Sequence, residues 1–417
     1  MKNKDIVFLF DLDGTVTSKE TLPLISHHFQ IDDKIDVLTK ETINGNIPFI
    51  ESFIRRVNIL GKLPVSEIDT LLIDVPLSSK VMQFIDEHKS SCAIVTGNFK
   101  GWVEKLVQKI GCQSFSSDAL VEDDKVVKLT HILKKEEVVK QYKAEGKTVV
   151  FVGDGNNDAE AMREADISIA CGTVHYPAKS VLMVADYAVF DEDALYRLLN
   201  QIYSNQSGKS IVLSCAGIGS RLGLGQSKVL IDINGEPLIN WHLKMFKDFE
   251  DLRIVIGFQA NDIIKSVLKK RKDIIFVYNH NYFDTKTGTS YYLGARHGNE
   301  YAIEWDGDLI VHPDDVELCL NHSGEYVGCS KSISDDPVYV KCDEHNQVVS
   351  FSRENGDFEW TGPALLAKDK VKYTSSNVFN QIEEYLPLPT LQVRAQDIDT
   401  YDDYKRAVEV MKEWKTL

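Results

Sequence analysis

No two of the chain's seven cysteines are spaced as Cys-x-x-Cys. This disfavours a zinc site or a redox pair, and their scatter reads as reduced core thiols rather than a disulfide frame. No apolar stretch approaches the roughly 20 residues needed to span a bilayer. The chain starts Met-Lys-Asn-Lys and runs straight into a strand-like segment, without a signal-peptide pattern. Positive charge is also short: 47 Lys and Arg stand against 63 Asp and Glu, a formal net charge of −16. That balance argues against a nucleic-acid or anionic-membrane partner. Internal repeats and low-complexity tracts are absent as well. On these grounds the chain is expected to be cytoplasmic, with its oligomeric state open.

A length of 417 residues favours two or three domains. Apolar strand-like runs at Ile6–Phe10, Cys92–Val95, Val149–Val152 and Ile167–Ala170 alternate with helical patterns, the mark of a parallel sheet. A stretch of helical periodicity, about residues 16–78, is too long for a simple crossover and reads as an inserted helical cap. The polar, turn-rich segment Tyr203–Lys209 marks a boundary. A second series of strands follows at Ile211–Ser214, Ile254–Gly257, Ile274–Val277 and Leu309–Val311, ending in a helix over about 402–414. The expected fold is α/β: two Rossmann-like three-layer α/β/α domains, residues 1–205 with the cap insertion and residues 206–417.

The first strand ends in Asp11-Leu-Asp13-Gly-Thr15. Alternation sends both carboxylates to one side, at the carboxyl end where open α/β sheets bind ligands. Close carboxylates repel unless a cation or a shared proton intervenes, so the pair points to Mg²⁺, with one carboxylate attacking and its neighbour handling a proton. Three further pieces follow in order. Thr96-Gly97-Asn98 offers a hydroxyl and amides to a phosphate oxygen. Lys135, with Lys134 as alternate, can neutralise phosphoryl charge. Gly153-Asp154-Gly155-Asn156-Asn157-Asp158 brings more carboxylates to another strand end.

This order resembles the haloacid dehalogenase superfamily over roughly residues 1–200. The resemblance implies that Asp11 forms an aspartyl-phosphate, and that Asp13 protonates the leaving oxygen and then activates water. It implies Mg²⁺ held by Asp11, Asp13 through its carbonyl, and Asp154, with Asp158 and Asn157 in support. Ser18–Thr21, Phe49–Val57 and Lys62-Leu-Pro64 are similar to the cap motifs of phosphoserine phosphatases. There a glutamate and an arginine hold the substrate amine and carboxylate, which Glu20 and Arg56 match. Asn98 replaces the glycine common after Thr-Gly. A small phosphomonoester is implied: phosphoserine or a phosphorylated amino alcohol.

The second half opens with Ile211-Val-Leu-Ser-Cys-Ala216-Gly217-Ile218-Gly219-Ser220-Arg221-Leu-Gly223. A glycine-rich loop after a strand lets the backbone turn its amides toward a triphosphate. Arg221 and Lys228 supply cations for it. The following strand ends in Gly257-Phe-Gln rather than in the acidic residue a dinucleotide ribose uses, and Gly-Lys-Ser/Thr is missing, so neither NAD nor a Walker loop fits.

The pattern is similar to sugar-phosphate nucleotidyltransferases, which carry Gly-x-Gly-x-Arg and then a lysine, and within them to the small phosphocholine-type cytidylyltransferases. Pro237–Leu243, Glu359–Pro363 and Asp397–Asp403 add to the likeness, which covers roughly residues 209–417. It implies that Ala216, Gly217, Gly219, Ser220 and Arg221 hold the phosphates and that Lys228 bridges the α-phosphate and the acceptor. Within Thr285–Ser290, Gly288 and Ser290 fall where that family reads base or ribose. Mg²⁺ would lie between Asp315 (alternate Asp314) and Asp399 (alternate Asp397); the competing role for such acids is to cap the last helix, which Thr400 and Asp402 could do alone. The two resemblances imply a bifunctional enzyme: a Mg²⁺-dependent phosphomonoesterase fused to a nucleotidyltransferase. Its co-substrate would be CTP and its product a CDP-activated alcohol, the alternative being UTP or GTP with a sugar 1-phosphate.

Overall fold

The computed structural model describes residues 5–43, 46–219, 225–331 and 337–414. The chain divides into two compact units, Met1–Leu199 and Asn200–Leu417. The division falls inside the helix Glu192–Tyr203, ahead of the polar segment that marks a boundary in the sequence. Among the described residues no helix is long and apolar enough to cross a membrane.

In the first unit, Ile6–Phe10 is five consecutive apolar residues, all buried, as an interior parallel strand requires. It pairs in parallel with Cys92–Phe99 on one side and Thr148–Gly153 on the other. Ile167–Cys171 and Tyr187–Val189 continue the sheet beyond Thr148–Gly153. A hairpin, Gln113–Glu122 with Lys125–His131, extends it beyond Cys92–Phe99. The chain order therefore reverses at Ile6–Phe10, and its carboxyl end is the switch point where such sheets take ligands. Helices Thr21–His28, Asp32–Ile43, Phe49–Leu60 and Val65–Leu72 lie between the first strand and the helix Ser79–Glu87. The ends of this helical segment are tied together by Ser18 N donating to Pro76 O and Ser78 N donating to Val16 O, both 2.9 Å.

The second unit repeats the logic. Lys209–Ser214 pairs in parallel with Leu252–Ile256 on one side and Tyr301–Asp306 on the other. Ile275–Tyr278 continues the parallel set, and Phe358–Ala367 runs antiparallel to Tyr301–Asp306. Again the order reverses at the first strand, above which the glycine-rich loop begins.

One strand departs from the sequence reading. Leu309–Val311 does not belong to the main sheet; it pairs antiparallel with Ala395–Asp397 in a separate two-stranded ladder. Its Ile310 packs with Ile398, Ala407 and Met411 beneath the last helix. The main-sheet strand is Tyr301–Asp306, whose Glu304 is fully buried. An ionisable residue in its middle broke the apolar run by which the strand would have been recognised.

Candidate active sites

At the carboxyl edge of the first sheet, Phe10 stands in register with Ile94 and with Val152. Asp11 follows Phe10 directly, and Thr96 and Asp154 stand two residues beyond Ile94 and Val152, so all three lie at the same edge of the sheet. The strand ends at Phe10, so Asp11 and Asp13 sit on the turn after it rather than alternating along it. Gly14 makes that turn possible with φ +69°. Lys135, the first residue of the helix Lys135–Ala144, is buried and donates to Asp11 Oδ1 at 2.5 Å and to Asp158 Oδ1 at 2.6 Å. Lys134 is exposed. The other oxygen of Asp158 accepts from the amides of Asp154 and Gly155 at 3.1 and 2.9 Å. Asp158 thus braces the turn that carries Asp154.

Asp13 Oδ1 accepts from Thr21 N at 2.9 Å, and its Oδ2 accepts from Asn98 Nδ2 at 2.6 Å. Thr96 is buried, and its Oγ1 accepts from Asn98 N at 3.2 Å. Gly97 is fixed through its carbonyl, which accepts from Ser117 Oγ at 2.9 Å. Asn157 lies half-buried on the Asp154–Asp158 turn. Arg56, on the helix Phe49–Leu60, is half-buried; burial lowers its pKa, with Glu20 the charge opposing that.

The electrostatics are those of crowded carboxylates. Burial, then Asp158, pushes Asp11 well above the ordinary carboxyl range despite Lys135. Burial and then Glu20 push Asp13 up to about 6, which suits a group that must both give and take a proton. Burial disfavours charge on Lys135, but Asp11 and Asp158 outweigh it and hold the ammonium above its ordinary value. Oxygens of Asp11, Asp154 and Asp158 lie within 4.8 Å of one another. An all-oxygen donor set of this kind fits Mg²⁺.

The sequence reading missed His175. From the loop after Ile167–Cys171 its Nε2 reaches Glu20 Oε1 and Asp154 Oδ2, both at 2.9 Å. No periodicity or motif marks it, because a loop histidine acquires partners only through the fold. A Cβ on Gly14 would lie 2.9 Å from His175 Nε2, 3.0 Å from Asp154 Oδ2 and 3.1 Å from Glu20 Oε1. Gly14→Ala therefore meets both the left-handed backbone penalty, about 1–2 kcal/mol, and this crowding. A lower urea midpoint, together with reduced phosphate release, is the expected result.

In the second unit a cavity of about 850 Å³ opens above the parallel strands, lined by Ala216, Gly217, Gly219, Lys228, Ser290, Asp306, Asp308, Asp397 and Asp399 among others. Lys228 Nζ donates to Asp308 Oδ2 at 2.6 Å and to Asp399 Oδ1 at 2.5 Å. Burial works against its charge, and the two carboxylates more than offset it. Burial, then Asp308, pushes Asp306 up to about 7 and Asp397 well above the ordinary range. Ser290 Oγ accepts from Asn279 Nδ2 at 3.3 Å.

Three expectations change here. Asp315 is not with Asp399: Arg394 takes its carboxylate through Nε and Nη2, both at 2.8 Å, and reaches Asp314 as well. The carboxylate facing Asp399 across Lys228 is Asp308, after the true main-sheet strand, so the misplaced strand also misplaced its acid. Gly288 is not in the cavity lining; its missing side chain makes room for Ser376 O, 2.6 Å from where a Cβ would be. Ser220 and Arg221 lie outside the described residues. The last helix is capped by Thr400 and Asp403, not Asp402: Thr400 Oγ1 accepts from Asp403 N at 3.2 Å, and Asp403 Oδ2 accepts from Thr400 N at 2.8 Å.

His242, fully within the core, donates through Nε2 to Gly307 O at 2.9 Å and so steadies the Asp306–Asp308 turn. Burial lowers its pKa from 6.5 to about 4. The unfolded chain thus binds a proton that the fold refuses. This contribution to stability is complete above pH 6.5 and is lost as pH falls toward 4. His242→Gln should flatten that part of a urea-midpoint-against-pH curve.

Residues 7–166 match the family model for haloacid dehalogenase-like hydrolases. Over 183 residues the chain is 29% identical to the phosphoserine phosphatase of Methanocaldococcus jannaschii, covering 41% of this chain and 87% of that protein. Over 206 residues it is 25% identical to the phosphoserine phosphatase of Wolinella succinogenes, covering 46% and 97%. Among solved structures, the CTP:phosphocholine cytidylyltransferase of Streptococcus pneumoniae aligns with 49% of this chain and 99% of its own, at 16% identity and a TM-score of 0.41.

Proposed function

We propose that this chain, with a haloacid dehalogenase-like hydrolase domain at its N-terminal end, is a bifunctional cytoplasmic enzyme. The first half would be a phosphomonoesterase acting on phosphoserine or a phosphorylated amino alcohol. The second would be a cytidylyltransferase making a CDP-activated alcohol and pyrophosphate. The observation that carries the first assignment is the buried lysine shared by Asp11 and Asp158 at 2.5 and 2.6 Å.

Asp11 attacks phosphorus, the ester P–O bond breaks, and Asp13 gives its proton to the departing alkoxide. Water then attacks the aspartyl-phosphate with Asp13 as base, releasing phosphate and restoring the Asp11 carboxylate. Lys135 offsets charge on the phosphoryl group and fixes the Asp11 side chain, while the Thr96 hydroxyl, which takes the Asn98 amide, and the Gly97 amide bind phosphoryl oxygens. Glu20 and Arg56 face the alcohol portion, beneath the four-helix cap. Asp11, Asp154, Asp158 and the Asp13 carbonyl would hold Mg²⁺, which would supply neutralisation of the phosphoryl oxygens.

In the second half the acceptor's phosphate oxygen attacks the α-phosphorus of CTP and pyrophosphate leaves, so positioning and charge are all the protein need provide. The turn at Ala216–Gly219 presents amides, and Lys228 steadies charge at the α-phosphate. Asp308 and Asp399 fit Mg²⁺ by their oxygen donors, and that ion would neutralise the triphosphate. The two halves act on different esters, since a shared one would be destroyed before transfer.

The test is a matrix of four nucleoside triphosphates against phosphocholine, phosphoethanolamine, phosphoserine and hexose 1-phosphates. Phosphate and pyrophosphate are scored separately. Pyrophosphate with CTP and an amino-alcohol phosphate is expected; pyrophosphate only with UTP or GTP and hexose phosphates overturns the cytidylyl assignment.

A further inference from the structure

We propose that Asp124, at the tip of the hairpin of Gln113–Glu122 with Lys125–His131, is a positioning residue for the first active site. It fixes the corner between the cap helices Phe49–Leu60 and Val65–Leu72, and thereby the place of Arg56 at the substrate's alcohol portion. The role of Arg56 rests on the phosphatase reading; the fixing of the corner does not.

The corner needs partners from elsewhere in the chain. The helix Val65–Leu72 starts after Pro64, which offers no side-chain cap, so its first amides have no local acceptor. Asp124 supplies acceptors for two of them. Its carbonyl accepts from Val65 N and its Oδ1 from Ser66 N, each at 2.9 Å. Its Oδ2 accepts from Ser66 Oγ at 2.6 Å. These bonds from Ser66 hold the Asp124 carboxyl below its ordinary pKa. An acid 58 residues downstream of Ser66 thus caps the helix.

The hairpin also takes the preceding helix by its end. Val126 N donates to Gly61 O at 3.0 Å, and Gly61 N donates to Val57 O at 2.7 Å, next to Arg56 in the chain. A Cβ on Gly61 would lie 3.0 Å from Val126 Cβ, so the glycine is what lets the two elements come this close. Away from the corner they stand apart around a cavity of about 470 Å³, lined by Ile54, Asn58, Val127 and Leu129 among others.

The backbone singles out the same residue. Glu122 pairs with Lys125, so Asp123 and Asp124 form a two-residue turn, with φ +47° and +61°. Glycine is the usual choice for the second place in such a turn. A side chain kept where glycine fits more easily points to a use, and its oxygens are the ones on Ser66. Farther back, the same strand reaches the phosphoryl site, where Ser117 Oγ donates to Gly97 O at 2.9 Å. One strand therefore ties the phosphate-binding turn to the cap corner.

The full chain is assayed as wild type, Asp124→Ala, Asp124→Gly and Asp124→Asn. The substrates are phosphoserine and p-nitrophenyl phosphate, which has neither amine nor carboxylate for Glu20 and Arg56. Asp124→Ala and Asp124→Gly should raise KM for phosphoserine about tenfold, the scale of one misplaced charged contact. Their kcat, and both constants for p-nitrophenyl phosphate, should stay near wild type. Asp124→Asn keeps an acceptor for Ser66 N and should restore KM. Deuterium uptake over residues 61–72 should rise in Asp124→Ala and Asp124→Gly. Asp124→Gly also relieves the left-handed backbone, so it keeps the turn while removing the cap. A wild-type KM in that variant overturns the proposal, Asp124 then being a turn residue only. Unchanged uptake, or an equal loss on both esters, overturns it too. Failure of the phosphatase reading shows elsewhere, as phosphate release that survives Asp11→Asn, while uptake still reports on the corner.

Discussion

Asp11→Asn is expected to lower phosphate release from any phosphomonoester the chain accepts by at least about 10³-fold, in line with removal of other catalytic nucleophiles. The amide matches the carboxylate in shape but cannot carry the phosphoryl group. The fold should not suffer. The Asp11 amide still donates to Val152 O, Lys135 keeps Asp158 at 2.6 Å, and one of several crowded buried carboxylates becomes neutral. An unchanged or higher melting temperature should therefore accompany the lost activity. Lys135→Met gives the opposite pairing: it leaves Asp11 and Asp158 buried without their shared cation, a change that costs about 3–5 kcal/mol when a buried pair is broken. If Asp11→Asn still turned over, the nucleophile would have to be sought among Asp13, Asp154 and Asp158.

The first site was legible because its residues follow directly from strands made of unbroken apolar runs. Ile6–Phe10, Cys92–Val95 and Val149–Val152 announce themselves by composition, and the residues just beyond each carry the site, although the second strand itself continues through Thr96-Gly97-Asn98 to Phe99. Asn98 was visible as an unusual residue, but its bond to Asp13 depends on a side-chain orientation that spacing cannot give. His175 was invisible for a related reason: it sits in an irregular loop whose path is set by tertiary contacts, among them hydrogen bonds to Val189 O and Asp154 O.

The second site was half legible. The glycine-rich turn and Lys228 could be read locally, since Gly219 adopts φ +68° and the lysine follows nine residues on in the sequence. The acids could not. Glu304 in the middle of Tyr301–Asp306 masked the strand, and the apolar Leu309–Val311 took its place, carrying the expected metal carboxylate on to Asp315. Burying Glu304 beside Asp306 pushes its pKa well above the ordinary carboxyl range, burial being the larger cause. A carboxyl that stays protonated is tolerated where an ionised one is not, which is how a glutamate comes to lie in a central strand.

Both sites place a lysine between two carboxylates, and this sets the expectation for Lys228. Lys228→Met should reduce pyrophosphate release by about 10²–10³-fold, the scale on which single preorganised charge-stabilising groups act, while phosphate release by the first half persists. Lys228→Arg should not restore it. The lysine stem lies against the glycine turn, with Lys228 Cγ 3.0 Å from where a Gly219 Cβ would be, and the ammonium fits between Asp308 and Asp399 as a compact point charge. A planar guanidinium needs a wider, flatter gap. Gly219→Ala should act in the same direction, because its methyl presses on that stem and its backbone conformation is strained, so kcat falls though Lys228 remains. Asp315→Asn, by contrast, should leave pyrophosphate release near wild type, since Arg394 already holds that carboxylate. Full transfer activity in Lys228→Met, or its loss in Asp315→Asn, would return the metal and phosphate chemistry to the region of Asp315.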